Sequence, residues 1–115
     1  MRRPNKYGAQ KATCRAGHCH DSRHEARRCD ELHLLLRAGE IERLEQQPQY
    51  WFSIDGRQVK HPNGRRVGMK PDFRYWDRLS GTEIVEDAKG VRTEAYVLRV
   101  AMFRALFPKI DFREV

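Results

Sequence analysis

The sequence contains no apolar run that approaches the ~20 residues of a transmembrane helix. Its first residues, "MRRPNKYGAQK", are basic but lack the apolar segment that a secretory signal requires. Only three cysteines are present, an odd number, which in the absence of such a signal indicates reduced thiols and a cytoplasmic protein. The sequence also shows no internal repeat and no low-complexity tract. We therefore expect neither a membrane protein nor a secreted domain built on disulfides.

The charge of the chain is strongly positive. Its 115 residues carry 23 lysines and arginines against 16 acids, a net charge of +7. Most of the excess is arginine, whose planar guanidinium suits phosphate. Nucleic acid is therefore the leading partner, although charge alone does not separate DNA from RNA or from an anionic membrane. The length allows one hydrophobic core.

The chain is predicted to consist of a flexible basic arm, residues 1–11, and a single domain, residues 12–115. The domain begins with "ATCRAGHCH", which favours a short hairpin that turns at Ala16-Gly17. A first helix follows from Asp21 or Ser22 to about residue 38. Glycine at position 39 is typical of the residue after a helix. Helical spacing relates the apolar positions Cys29, Leu32, Leu35 and Leu36.

The rest of the domain alternates strand-like and helical segments. We expect a strand from about Gln49, an exposed turn-rich loop over 55–68, and a hairpin formed by "KPDFRYW" and "TEIVEDAKG". A second helix is predicted from Thr93 to Phe107, and "KIDFREV" is a final strand. The fold class is thus α/β, a mixed β-sheet flanked by helices in the order helix, three strands, helix, strand. The last two strands should be parallel, with a right-handed crossover.

The stretch "EIVEDAKG" breaks the pattern of a core strand, because Glu86, Asp87 and Lys89 stand where apolar residues should continue. If "DRLSG" turns symmetrically, Asp72 lies directly opposite Asp87. Opposed side chains share a face with Cβ atoms about 4.5–5.5 Å apart. Two carboxylates that close repel each other unless a proton or a cation lies between them. A hard cation such as Mg²⁺, which prefers oxygen ligands, is the simplest occupant.

Six segments carry a family resemblance, in the same order along nearly the whole chain: "NKYG", "DSRHEARR", "QPQY", "PDF", "EDAKG" and "TEAY". Pro71-Asp72, followed after fourteen residues by Asp87-Ala88-Lys89, resembles the motif of PD-(D/E)XK nucleases, the restriction-endonuclease-like superfamily. More narrowly, the chain is similar to small phage- and prophage-encoded members described as Holliday-junction-resolvase-like. The resemblance implies a restriction-endonuclease-like core.

It also implies the chemistry of the site. Asp72 and Asp87, with the Ala88 carbonyl, would bind Mg²⁺ or Mn²⁺, and Glu25 on the first helix would complete the acidic cluster. Lys89 would orient or deprotonate the attacking water, or stabilise charge on the phosphate. The reaction expected is metal-assisted hydrolysis of DNA phosphodiester bonds, with branched DNA as a candidate substrate. A homodimer would suit branched DNA, and a phage-encoded protein would work in the host cytoplasm.

Basic residues in the arm, before the Asp72 strand and around the second helix are candidate DNA contacts. Those that lead into the Asp72 strand are preferred, whereas the two around the second helix resemble solvated helix residues. The set is Arg2, Arg3, Lys6, Arg65, Arg66, Lys70, Arg92 and Arg99.

Each candidate also has an ordinary structural interpretation. Asp72 could be a solvated strand end, and Asp87 with Lys89 an exposed ion pair. Glu25 could serve only as the third helical residue of a capping box with Ser22. Its place in one stripe with Cys29 instead favours a buried, inward position. Non-catalytic nucleic-acid binding by a basic protein is the alternative function.

A zinc-stabilised interaction protein is a further alternative, because cysteine and histidine are concentrated near the start of the domain. Cys14, Cys19, His24 and Cys29 recur at intervals of five. That spacing argues against a shared zinc ion, since five residues of helix rotate by about 500°. Cys14 and Cys19 would then oppose each other as small apolar fillers. Tyr96 heads the apolar stripe of the second helix and is expected in the core.

Overall fold

The computed structural model describes residues 11–20, 22–88 and 92–115, with Cys19 described by its backbone alone. Candidate residues Arg2, Arg3, Lys6 and Lys89 therefore lie outside the described residues, as does nearly all of the predicted arm. The helices and strands of the described chain are β1 Ala12–Thr13, β2 Cys19–His20, α1 Arg23–Arg37, β3 Ile41–Gln46, β4 Tyr50–Trp51, β5 Ser53–Ile54, β6 Arg57–Gln58, β7 Gly68–Met69, β8 Phe73–Asp77, β9 Thr82–Asp87, α2 Glu94–Leu106 and β10 Asp111–Glu114.

Four strands form the main sheet, in the order β10-β9-β8-β3. β10 is parallel to β9, while β8 is antiparallel to both β9 and β3. The protein is therefore mixed α/β, with a mixed sheet and two helices. The predicted parallel pairing of the two strands that flank α2 is confirmed. Three two-stranded sheets, β1-β2, β4-β7 and β5-β6, complete the described strands.

Adjacent residues of β9 show that the two helices lie on opposite faces of the sheet. Ile84 belongs to a buried cluster with Cys29 and Leu32 of α1. Val85 belongs to a second cluster with Phe103 of α2. Because successive side chains of a strand point to opposite faces, the sheet is the middle of three layers.

Helix α1 begins and ends as its sequence predicts. The Ser22 hydroxyl accepts a hydrogen bond from the Glu25 backbone N–H at 3.1 Å. Gly39 adopts a φ of 75°, the left-handed conformation that favours glycine after a helix. On the inward stripe, Glu25, Cys29 and Leu32 are all buried. The prediction was wrong for Leu36, which is exposed, while Leu35 packs against the core instead.

The first strand of the main sheet is β3, and the prediction of a sheet strand from Gln49 was wrong. Residues 50–54 pair within small two-stranded sheets. β3 has no simple apolar alternation because its register shifts between Glu42 and Glu45, and Arg43 has a φ of 57°. Such a bulge adds one residue and lets Ile41 and Leu44, three apart, contact the same cluster. A strand does begin at Tyr50, but it lies outside the main sheet, and β3 was not predicted.

The segment over 55–68 is exposed and rich in turns, as predicted. It contains one hairpin that was not predicted, in which β5 and β6 flank Asp55-Gly56. Both residues have positive φ, 51° and 77°, as a two-residue type I′ turn requires. The predictions for α2 and β10 are confirmed within one or two residues, with Thr93 capping the helix. No helix among the described residues is long and apolar enough to cross a membrane.

Candidate functional site

The hairpin of β8 and β9 has the register that a symmetric turn predicts. Asp77 pairs with Thr82 and Phe73 with Glu86, so the pairing midpoint lies between positions 79 and 80. The same offset places Asp72, just before β8, beside Asp87 at the end of β9. The Asp72 side chain also accepts a hydrogen bond from the Ala88 backbone N–H, 2.7 Å from Oδ2. The structure thus brings Asp72, Asp87 and Ala88 together.

Glu25 of α1 joins the two aspartates, and we name Glu25, Asp72 and Asp87 the carboxylate cluster. Glu25 and Asp87 are buried, and Asp72 is partly buried. Burial, the charge of Asp87 and that of Glu25 raise the pKa of Asp72 to about 8, against a smaller lowering by the Ala88 N–H. Asp72 and Asp87 are close enough that both can ionise only if a cation offsets their repulsion, and Glu25 adds a weaker charge. Their carboxylate oxygens are donors of the kind that Mg²⁺ or Mn²⁺ prefers.

A neighbouring acid shows how the same protein neutralises a buried carboxylate. Glu86 is fully buried on the α1 side of the sheet. The Arg28 guanidinium donates to both of its oxygens, at 2.7 Å each. The Tyr75 hydroxyl donates to it as well. Glu86 is therefore a structural ion pair with a fitted partner, whereas the strongest charges acting on Asp72 are those of other acids.

Glu25 has a partner that the sequence did not indicate. Its Oε1 lies 2.9 Å from Nδ1 of His20, which is also buried. Burial lowers the pKa of His20, but the hydrogen bonds and charges of Glu25 and Cys14 together outweigh it and hold that pKa above its usual value. The helix cap uses only the Glu25 backbone N–H, so the side chain is directed to His20 and to the carboxylate cluster.

Tyr96 lies in the core, as expected, but it also reaches the site. Burial and the charges of Asp87 and Glu114 raise the pKa of its hydroxyl. The phenol therefore lies beside Asp87, at the first turn of α2. Periodicity could not reveal this contact, because a tyrosine at the head of an apolar stripe has the same pattern with or without it.

The basic candidates differ in their surroundings. Arg65 and Lys70 are exposed, and the Arg66 guanidinium stacks over the ring of the half-exposed Trp51, 4.9 Å from its centroid. An arginine on an accessible aromatic ring is a common element of nucleic-acid surfaces.

On α2 and before it, the candidates are more engaged. Arg92 is exposed but forms an ion pair with Glu114 of β10, 2.9 Å from Nε to Oε2. Arg99 is partly buried. These two residues are therefore held more closely by the protein than Arg65 and Lys70 are.

The cysteine and histidine cluster has a different membership from the one considered in the sequence. Cys14 faces His18 across the β1–β2 turn, because Thr13 pairs with Cys19; the expected opposition of Cys14 and Cys19 was wrong. His24 is exposed on α1. The ligand atoms that do converge, all within 4.8 Å of one another, belong to Cys14, His18, His20 and Cys29, and this group could hold a metal ion. We name it the thiol–imidazole cluster.

Comparison with known proteins identifies a family but no relative of established structure. Searches of curated proteins and of solved structures each find no match. Residues 4–115 match the model of the family described as "Protein of unknown function (DUF1064)", which covers nearly the whole chain. The chain therefore belongs to the DUF1064 family.

Proposed function

We propose that this protein is a metal-dependent DNA endonuclease with a restriction-endonuclease-like core. The carboxylate cluster is the observation that supports the proposal most strongly. Three acids from separate segments converge at one end of the sheet, two of them buried. Burial and their proximity raise the pKa of Asp72 far above its ordinary value. The acids can all be ionised together without a large cost only if a cation is bound there.

Asp72, Asp87, Glu25 and the Ala88 carbonyl would hold Mg²⁺ or Mn²⁺. Bound there, the metal would supply Lewis-acid polarisation of a phosphodiester and activation of water. The Ala88 N–H orients the Asp72 carboxylate, and the Tyr96 phenol lies against Asp87. By the family resemblance, Lys89 would orient or deprotonate the attacking water, or stabilise charge on the phosphate.

DNA would approach over the basic segment that precedes β8. Arg65 and Lys70 are exposed there, and the Arg66–Trp51 pair offers a cation and an aromatic face. Arg2, Arg3 and Lys6 of the arm, with Arg92 and Arg99, would add phosphate contacts. Binding should therefore weaken steeply as salt rises, because each phosphate contact releases a counterion. A homodimer acting on branched DNA fits the same proposal.

The decisive experiment offers the purified protein a panel of linear, nicked, flapped and four-way DNAs with Mg²⁺, with Mn²⁺, or with no divalent metal and EDTA. We expect cleavage only with a divalent metal and strongest on one branched form. Gel-resolved products identify both the substrate and the cut position.

Two outcomes would contradict the proposal. Undiminished cleavage in excess EDTA would exclude the metal mechanism. Tight, salt-sensitive binding without cleavage of any DNA under any metal would favour the alternative, a non-catalytic basic nucleic-acid-binding protein. The net charge of +7 supports binding in either case, so cleavage and not binding is the discriminating measurement.

A further inference from the structure

The thiol–imidazole cluster lies outside the proposed nuclease chemistry and has its own geometry. Three of its members, Cys14, His18 and His20, belong to the β1–β2 hairpin, and Cys29 belongs to α1. The turn brings Cys14 and His18 face to face, since the Cys14 N–H donates to the His18 carbonyl at 3.0 Å. Two thiols and two imidazoles form the donor set of many structural zinc sites.

Two of the distances between these atoms match those of ligands around one ion. His18 Nδ1 lies 3.4 Å from the Cys14 sulfur and 3.7 Å from the Cys29 sulfur. In a tetrahedron with Zn–S of about 2.3 Å and Zn–N of about 2.0–2.1 Å, a sulfur and a nitrogen are separated by about 3.6 Å. A purely apolar filling of this space by cysteine would not require two imidazoles directed at the same point.

His20 supplies the strongest single observation. Its Nδ1 bonds to Glu25, which leaves Nε2 buried and without a hydrogen bond of normal geometry among the described residues, while the Cys14 thiol lies close enough to act on the ring. A buried polar atom with no partner is costly and rare in native proteins. A metal-ligating histidine has this arrangement as a rule, with one nitrogen on the metal and the other on a carboxylate. The Glu25–His20 pair therefore matches the outer shell of a metal site.

A hydrogen bond from Gln46 to the Cys29 sulfur is a second contact of the kind found around metal ligands. The Gln46 amide of β3 donates to the Cys29 sulfur at 3.2 Å, and its nitrogen also contacts His18 Nδ1, a contact that a bound ion would displace. Amide donors of this kind stabilise a coordinating thiolate. His18 is partly exposed, while Cys14, His20 and Cys29 are buried. The cluster therefore has a path for metal entry on one side and a closed interior on the other.

We propose that Cys14, His18, His20 and Cys29 form a structural zinc site that fastens the β1–β2 hairpin to α1. Both thiols release their protons to solvent when Zn²⁺ binds, and the ion takes His18 through Nδ1 and His20 through Nε2. Soft sulfur and imidazole donors select zinc over Mg²⁺, which prefers oxygen. The hairpin has only two residues per strand, too few to be stable alone in water.

The zinc site also positions an acid of the carboxylate cluster, a consequence that rests on the proposed nuclease function. His20 cannot rotate once Nε2 is coordinated, so its Nδ1 presents a fixed donor to Glu25. Glu25 then faces the two aspartates from a defined direction. His20 is in this sense a positioning residue, and zinc loss should lower cleavage through Glu25 rather than through any contact with DNA.

The test measures metal and not cleavage, so it is independent of the nuclease proposal. Protein expressed with added zinc, kept reduced and dialysed, should contain about one zinc per chain by elemental analysis. Metal-free protein titrated with Co²⁺ should develop the visible bands of tetrahedral cobalt and a sulfur-to-metal charge-transfer band. Cys14→Ser and Cys29→Ser should each lose both signals, whereas His24→Gln, a change at an exposed histidine of the same helix, should keep them.

A conservative variant distinguishes the loss of a zinc ligand from misfolding of the chain. His18→Cys replaces one ligand by another and should keep one zinc, with a stronger charge-transfer band from three sulfurs. Zinc-free, folded wild-type protein that gives only an octahedral cobalt spectrum would overturn the proposal, as would a Cys14–Cys29 disulfide in the purified chain. Retention of zinc by both serine variants would also overturn it. If the serine variants do not fold, the wild-type stoichiometry and spectrum decide alone.

Discussion

The carboxylate cluster and the thiol–imidazole cluster meet at one contact, the hydrogen bond between Glu25 and His20, yet their chemistry is opposite. One presents carboxylate oxygens at the end of two strands, and the other presents sulfur and nitrogen between a hairpin and a helix. Oxygen donors favour Mg²⁺ or Mn²⁺, and sulfur with imidazole favours zinc. Two neighbouring sites can therefore select different metals by donor type alone.

The two clusters also differ in what each contributes. In the carboxylate cluster, burial and repulsion raise the pKa of Asp72, so ionised acids are unfavourable there and the proposed cation would offset that cost. In the thiol–imidazole cluster, the ligands come from two consecutive elements, the β1–β2 hairpin and α1, so an ion would join them and stabilise the fold. If both proposals hold, a site for chemistry and a site for stability lie side by side in one small domain, joined by the Glu25–His20 hydrogen bond.

The largest effect should be on cleavage. Asp72→Asn and Asp87→Asn each remove a negative charge from the carboxylate cluster, and loss of metal-assisted chemistry costs several kcal/mol, about a thousandfold in rate. Zinc content and DNA affinity should stay unchanged. Single-turnover cleavage, elemental analysis and a binding titration on the same preparations provide the measurement. Asp77→Asn, a change at the opposite end of β8, is the matched control and should cleave normally. Wild-type rates in both cluster variants would remove the distinction between the clusters.

Zinc removal should act on stability. A ligand present at a hundredfold over its dissociation constant stabilises the folded state by about 2.7 kcal/mol. For a domain of this size that amounts to about 10 °C in Tm. A zinc-selective chelator should lower Tm by that amount, and added Mg²⁺ should not restore it. Cys14→Ser should start from the lower Tm and respond no further to the chelator. A Tm insensitive to the chelator, in protein shown to have lost its zinc, would mean that the ion does not stabilise the fold.

A smaller effect concerns pH in magnesium-free protein. The folded-state pKa of Asp72 is raised to about 8 from an ordinary value near 3.8, so the folded protein holds this proton more tightly than the unfolded chain. Its contribution is favourable below the ordinary pKa and is lost as pH rises towards 8. Asp72→Asn should therefore be more stable than wild type by about 1–3 kcal/mol at pH 9, with the difference shrinking towards pH 5. Denaturant unfolding at several pH values provides the measurement. Equal stability at pH 9 would show that the acids do not repel each other.

The smallest effect is expected for Glu25, the member of the carboxylate cluster that contacts the thiol–imidazole cluster through His20. Glu25→Gln removes one charge, but the amide oxygen can still accept a hydrogen bond from His20 Nδ1–H. We expect cleavage to fall about tenfold, which is about 1.4 kcal/mol. Zinc content should be retained, and Tm without Mg²⁺ should be unchanged or slightly higher because one repulsive charge is gone. Glu40→Gln, at an exposed acid after the same helix, is the control. Wild-type cleavage by Glu25→Gln would leave Glu25 as a partner of His20 alone.

Some parts of the molecule could be predicted from the sequence, and others could not. The β8–β9 register was predictable, because a short symmetric turn determines which residues face each other, and so Asp72 could be placed opposite Asp87. The inward position of Glu25 was predictable for a similar reason, since helical periodicity relates it to Cys29 and Leu32. β3 was not predictable by alternation, because a bulge changes the spacing of its apolar residues.

The local sequence by itself determined the helices, the register of the main hairpin and the approach of two aspartates, because each of these depends on residues close together in the chain. The tertiary structure alone decided the rest. The β1–β2 hairpin packs on α1, so that His18 and His20 lie near the Cys29 sulfur and His24 does not belong to the cluster. The tertiary structure also paired Arg28 with Glu86 and directed Glu25 to His20, contacts between segments whose relative position depends on how they pack. Spacing along the chain limits which residues share an element, but only packing decides which elements share a site.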